Sequence, residues 1–212
     1  TFRFVPVYNN DLTVREIYTM GEASLYYSNP QKISVNIKNS GNNNMINIPV
    51  ALNIFGANTF TDVQYISSLN PGDSADIYFS DFFAYTNGST YISVSLPNDD
   101  YSGDNSKTWT QNTNDYTCNY SSADPATNGY GYAQGYSGIF YAKYYVNGSA
   151  KINSVKAFIY NYAANAGNAV QCVVLNSSGG LIGQSDYYNI QSDSMGMWHT
   201  FPIQTPPTVT DD

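Results

Sequence analysis

The sequence predicts an all-β chain of two successive sandwiches, and three observations carry the prediction. Only 11% of the 212 residues are charged while Tyr alone occurs 21 times. Asn, Ser, Thr, Gly, Val and Ile supply most of the rest, which is strand and turn chemistry and leaves few good helix formers. Short runs then alternate apolar and polar residues with a period of two, and Gly, Pro and Asn clusters punctuate them at the spacing of a β-sandwich.

The elements follow in order from about Asp11 to Lys107. Ile33, Val35 and Ile37 alternate with Ser34, Asn36 and Lys38, placing three aliphatics on one face of a half-buried strand. Val50-Leu52-Ile54, Ile77-Phe79 and Ile92-Val94-Leu96 repeat the pattern. Between them lie Asn39-Ser40-Gly41-Asn42, Asn70-Pro71-Gly72-Asp73 and Asn87-Gly88. In these turns Gly and Asn accept positive φ and Pro presets the first φ. Six or seven strands in about a hundred residues is the size of an immunoglobulin-like sandwich.

The order of these motifs resembles the CARDB-like family. Its marks are Asn39-x-Gly41 after the strand that ends at Lys38, and Leu69-x-Pro71-Gly72 before the strand at Ile77-Phe79. Asp11-Leu-Thr-Val precedes them, and Tyr91-Ile-Ser-Val with Asp100, Asp104 and Asn105 follows. The family comprises immunoglobulin-like adhesion modules of secreted bacterial and archaeal proteins. The resemblance therefore implies a fold and an extracellular setting, with no particular ligand.

Periodicity fades over Thr108–Asn128, which places a first domain at 1–110, a linker at 111–128 and a second domain at 129–212. In the second, Tyr144 and Val146 continue one run and Ile152, Val155, Ala157 and Ile159 form the next, with an irregularity near Asn153. Val170, Cys172 and Val174 alternate, and Ser177-Ser-Gly-Gly180 turns into Leu181-Ile182-Gly183. Gly138–Val146, Ile152–Ile159 and Leu175–Ser185 resemble the jelly-roll or galactose-binding-like sandwiches of secreted Bacteroidetes proteins. About six strands are counted where such a domain usually has eight. The expectation is a second sandwich cut short within a longer modular protein.

Composition also limits function. A net charge of −8, with only eight Lys and Arg, cannot assemble the basic patch that tracks phosphates, which argues against nucleic acid. No run reaches the roughly 18 apolar residues of a membrane span. His199 is the only histidine and no G-x-S-x-G elbow occurs, so the sequence is read as non-catalytic, with His199 a structural or surface residue.

Four kinds of candidate site remain. Asp99, Asp100 and Asp104 offer close-spaced oxygen donors for calcium, the plainer reading being a solvated turn. Tyr130, Tyr132, Tyr136 and Trp198 offer flat rings for sugars, against ordinary packing of strand tyrosines. Cys118 and Cys172 leave open one disulfide or two buried thiols. Ser74 and Ser194, each preceded by Asp, resemble the O-glycosylation acceptors of exported Bacteroidetes proteins. Beyond calcium, no cofactor is expected. The chain is thus expected to be a piece of a secreted or cell-surface bacterial protein, adhesin-like and of the type IX secretion kind, or a carbohydrate-binding accessory module of a secreted glycosidase or peptidase. Its expected partners are neighbouring domains of the same chain and a glycan or other cell-surface ligand, with neither nucleic acid nor membrane insertion.

Overall fold

A computed structural model describes residues 7–121, 131 and 136–210, and the chain divides into two compact units, Thr1–Ser122 and Ala123–Asp212. The first unit holds β1 (Leu12–Tyr18), β2 (Glu22–Ser24), β3 (Ser34–Asn39), β4 (Met45–Gly56), β5 (Phe60–Leu69), β6 (Ser74–Tyr78), β7 (Gly88–Ser95) and β8 (Ser106–Asn114). One sheet has the order β1-β3-β6 and the other β2-β8-β7-β4-β5. All pairings are antiparallel except β2 on β8.

The period-two runs do what their pattern predicts. Val35 and Ile37 of β3, Val50, Leu52 and Ile54 of β4, and Ile92 and Val94 of β7 are buried in one continuous core with Leu12, Val14 and Ile17 of β1. Each fully buried Val, Leu or Ile contributes about 1.5–3 kcal/mol relative to exposure, so the sandwich is held by the facing aliphatics of two sheets. β4 keeps its register on β5 from Ile46–Ser68 to Ile48–Ile66, although Asn47 between them has φ 52°, a conformation Asn tolerates better than most residues. The bulge of this unit lies on β1, where Arg15 is skipped between Val14–Ile37 and Glu16–Asn36.

The two turn motifs meet in space. Asn39 is fully buried; its Nδ2 donates to Leu69 O and Asn43 O, both at 2.8 Å, and its Oδ1 accepts from Gly41 N at 3.0 Å. Its backbone N–H donates to Asp73 O, and its carbonyl accepts from Gly72 N. Gly72 takes φ 82° in the turn closed by Asp73 N to Asn70 O, which favours glycine. Gly41 is required for closeness: a Cβ there would lie 2.5 Å from Asn9 O. The two spaced signatures are thus halves of one polar knot at an end of the sandwich.

The expected boundary at residue 110 is corrected. β8 runs to Asn114, β2 pairs with it through Glu22–Asn112, Ala23–Thr113 and Ser24–Asn114, and Asn119 bridges Glu22. Residues 111–121, expected in a linker, belong to the sandwich. The apolar signal fades because β8 packs through polar groups. Gln111 is fully buried and donates to Gln31 Oε1 at 2.7 Å, and Thr113 donates to Thr86 O at 2.6 Å.

The second unit holds β9 (Ser149–Lys151), β10 (Ser154–Ile159), β11 (Ala169–Val170), β12 (Val173–Leu175), β13 (Leu181–Gln184), β14 (Tyr188–Asn189), β15 (Met197–Pro202) and β16 (Thr208–Thr210). Among the described residues they pair two by two: β9 with β16, β10 with β15, β11 with β14 and β12 with β13. The hairpin at Ser177–Gly180 forms as the sequence predicts, with Gly179 at φ 82°. The run at Tyr144 and Val146 forms no strand, and the described pairs do not assemble into the two sheets of a jelly roll. The buried cluster is correspondingly small: Ile159, Ile190 and Phe201, with Cys172 and Tyr188 packed against it.

Candidate functional site

The expected acidic residues lie where the loop between β7 and β8 meets the chain entering β1. Asp99 Oδ2 accepts from Leu12 N at 2.7 Å and its Oδ1 from Tyr101 N at 3.0 Å. Asp100 Oδ2 accepts from Asn9 N and Asn10 N at 3.0 and 2.9 Å. Asp104 Oδ2 accepts from Thr13 Oγ1 at 2.7 Å. Three carboxylates therefore stitch residues 9–13 to the loop, each taking up N–H or O–H groups that the sheet leaves unpaired. Asp11, missed in the sequence because it opens a strand far from the cluster, stands beside them. It is 7% exposed and its Oδ1 has no partner. Burial, then the charges of Asp104, Asp99 and Asp100, push its carboxyl above the ordinary range. Among the described residues no three acidic or otherwise metal-ligating side chains already converge on one point.

A second feature lies on the outward face of the larger sheet. The registers set Thr110, Tyr91 and Phe55 in one row, Thr108, Ser93, Asn53 and Thr61 in the next, and Ser106, Ser95, Ala51 and Val63 in a third, with Tyr65 beside Pro49. Over β5, β4, β7 and β8 this face carries no charge. The charged residues of these strands, Asp62 and Lys107, pair with inward Leu52 and Val94. Phe55 and Tyr91 stack with centroids 5.3 Å apart and remain 44% and 39% exposed. The smaller sheet differs: its outward rows include Glu16 and Asp76 flanking Asn36, and Lys38 between Thr13 and Ser74. The signal in sequence was Ser89-x-Tyr91-x-Ser93-x-Ser95, whose outward positions are uniformly uncharged.

The other expected residues separate. Tyr130 and Tyr132 lie outside the described residues. Tyr136 is exposed, and Trp198 is half-buried on β15 with its ring edge-on to Phe158 at 5.6 Å. Cys118 and Cys172 fall in different units, and each is present as a thiol. Cys118 Sγ lies 3.1 Å from Ser28 Oγ, and burial pushes the Cys172 thiol up. Ser74 is exposed at the start of β6, whereas Ser194 Oγ donates to Gln191 O and accepts from Gln191 N. His199 is half-buried between Tyr188 and Phe201, its Nε2 2.5 Å from Ser194 O. Ser185, also in this unit, uses its hydroxyl on Asp186 O and Cys172 N.

The first unit is an immunoglobulin-like sandwich with one charged sheet face and, over β5, β4, β7 and β8 of the other sheet, an uncharged one. The chain belongs to the CARDB family, whose model matches residues 9–125. Two solved structures are similar. One is the CARDB domain of a Pyrococcus furiosus protein, solved in complex with di-metal ions; it is 18% identical with a TM-score of 0.44, over 51% of this chain and 97% of that one. The other is the 272–376 domain of a Methanosarcina acetivorans protein whose name assigns it to the cell surface; it is 21% identical with a TM-score of 0.42, over 51% and 95%. No curated protein matches the chain. No helix among the described residues is long and apolar enough to cross a membrane.

Proposed function

We propose that this chain is a non-catalytic segment of a secreted or cell-surface bacterial protein, adhesin-like and of the type IX secretion kind. Its CARDB sandwich serves as spacer and interaction unit, and the outer face of the larger sheet engages a neutral glycan. The uncharged face carries the reading. In a chain of net charge −8, four neighbouring strands present hydroxyls, an amide and a stacked Phe55–Tyr91 pair to solvent without one ionic group. Such a surface offers a sugar ring a π-face for its C–H groups and hydroxyl partners for its edges. It offers nothing to offset a charged ligand's loss of water. The accessory-module alternative would use the same chemistry beside a catalytic domain.

The test is sedimentation of the whole chain with insoluble neutral and anionic polysaccharides, repeated with the double variant Phe55→Ala, Tyr91→Ala. Binding to at least one neutral polymer is expected, weakened about tenfold by the loss of both rings. Binding only to anionic polymers, no binding to any, or binding indifferent to the double variant would sink the reading.

A further inference from the structure

The least compensated group in the first unit is the Asp11 carboxylate. It is more than nine-tenths buried, and its Oδ1 is a buried atom without a hydrogen-bond partner. Asp99, Asp100 and Asp104 surround it, so four carboxylates gather at one end of the sandwich. The two ion pairs among the described residues, Lys32–Asp81 and Lys107–Glu16, lie elsewhere. A buried charge without a partner is expensive, and like charges beside it add to the cost. The same corner holds two more buried oxygens without partners, Asp104 Oδ1 and Asn105 Oδ1. The hydrogen bonds that pin Asp99, Asp100 and the other Asp104 oxygen leave these three atoms unused.

We propose that Asp11 Oδ1, Asp104 Oδ1 and Asn105 Oδ1 are protein ligands of a calcium ion that fastens the chain entering β1 to the β7–β8 loop. The donor set is all oxygen, with no imidazole or thiolate, which suits a hard cation and disfavours zinc. Ca²⁺ tolerates an irregular mixture of carboxylate, amide, carbonyl and water oxygens, whereas Mg²⁺ demands near-ideal octahedral geometry. Two carboxylates and an amide form a sparse set, so water completes the shell and affinity falls in the range of extracellular modules, about 10⁻⁴ to 10⁻³ M. The ion neutralises the buried charge of Asp11 and stiffens the entry segment. This inference is independent of glycan binding, since the rings at Phe55 and Tyr91 take no part in it.

The experiment uses the whole chain after chelation, with thermal unfolding followed as CaCl₂, MgCl₂ or NaCl is added at matched ionic strength. At about 10 mM calcium the first unit's transition is expected to rise by several degrees, with smaller shifts for magnesium and sodium. Asp11→Asn and Asp104→Asn are each expected to remain folded and to lose the calcium shift. Terbium luminescence supplies a readout besides stability. Tyr8 and Tyr101 stack 5.4 Å apart, and the Tyr101 backbone N–H is bonded to Asp99. A lanthanide seated here should emit on tyrosine excitation and be displaced by calcium, and Asp11→Asn should abolish the emission. Equal shifts with all three salts would mean screening alone and overturn the proposal. So would a calcium shift that survives both variants, or a chain indifferent to calcium that Asp11→Asn simply stabilises.

Discussion

Replacing Asn39 by Ala should cost the first unit about as much as deleting one or two buried methylenes, although no apolar contact is the cause. The side chain is fully buried and satisfies three backbone groups: it donates to Leu69 O and Asn43 O and accepts from Gly41 N. The bonds to Leu69 and Gly41 are buried, while the one to Asn43 is partly wet, so water can replace only the last. Gly41 N–H keeps a second acceptor in Asp11 O at 3.1 Å, so Leu69 O is the buried group that loses the Asn39 amide, and a buried backbone group left unpaired costs about 1–3 kcal/mol. Against a typical domain stability of about 5–15 kcal/mol, this lowers the unit's melting temperature by about 5–10 °C. Urea denaturation of the whole chain, read by hydrogen-exchange mass spectrometry on peptides from β3 and β4, reports the first unit without interference from the second. Ser40→Ala is the control: it removes one exposed hydroxyl contact with Thr13 and should change stability by less than about 0.5 kcal/mol. A loss below about 1 kcal/mol in Asn39→Ala would refute the knot as the closure of this end.

The remaining predictions concern closeness and charge. Gly41→Ala forces a Cβ to 2.5 Å from Asn9 O and 2.7 Å from Asp11 N; a melting temperature within a degree of wild type would show that the entry segment yields freely. Burial alone would raise the Asp62 carboxyl, but the bonds it accepts from Ser80 N, Gln64 Nε2 and Val63 N outweigh burial and hold it below its ordinary value. Its stabilising effect is therefore present at neutral pH and is lost as pH falls below the ordinary carboxylate range through that lowered value. Asp62→Asn should cost about 1 kcal/mol at neutral pH and nothing in acid, checked by urea midpoints at both; a pH-independent difference would exclude the linkage.

How far the site could be read from sequence depended on the kind of residue. Val35, Ile37, Leu52 and Val94 were legible because burial on one face imposes a period of two on apolar residues. Gln111 and Thr113 obey the same period, yet their inward positions are polar, so a reading keyed to hydrophobicity ended the domain too early. Asp99, Asp100 and Asp104 drew notice as neighbours in sequence. Asp11, the most deeply buried of the four, did not, because nothing local distinguishes it from the other strand-opening aspartates. The uncharged face was also present in the chain, as Ser93, Ser95, Thr108 and Thr110, but hydroxyls at alternate positions acquire meaning only when neighbouring strands bring them side by side.

The sequence by itself determined that the chain is all-β, where three turns of its first sandwich fall and which aliphatics form the core, because backbone dihedral preferences and the two-residue repeat act within a few residues. It also determined the family, since Asn39-x-Gly41 and Leu69-x-Pro71-Gly72 occur in order along the chain. Only the tertiary structure decided that these motifs form one hydrogen-bonded knot, that Asp11 joins three carboxylates more than eighty residues away, and that four strands align an uncharged face around Phe55 and Tyr91. Each of these depends on strand register and on burial against distant segments. Those are set by long-range closure of the two sheets, which no local pattern encodes.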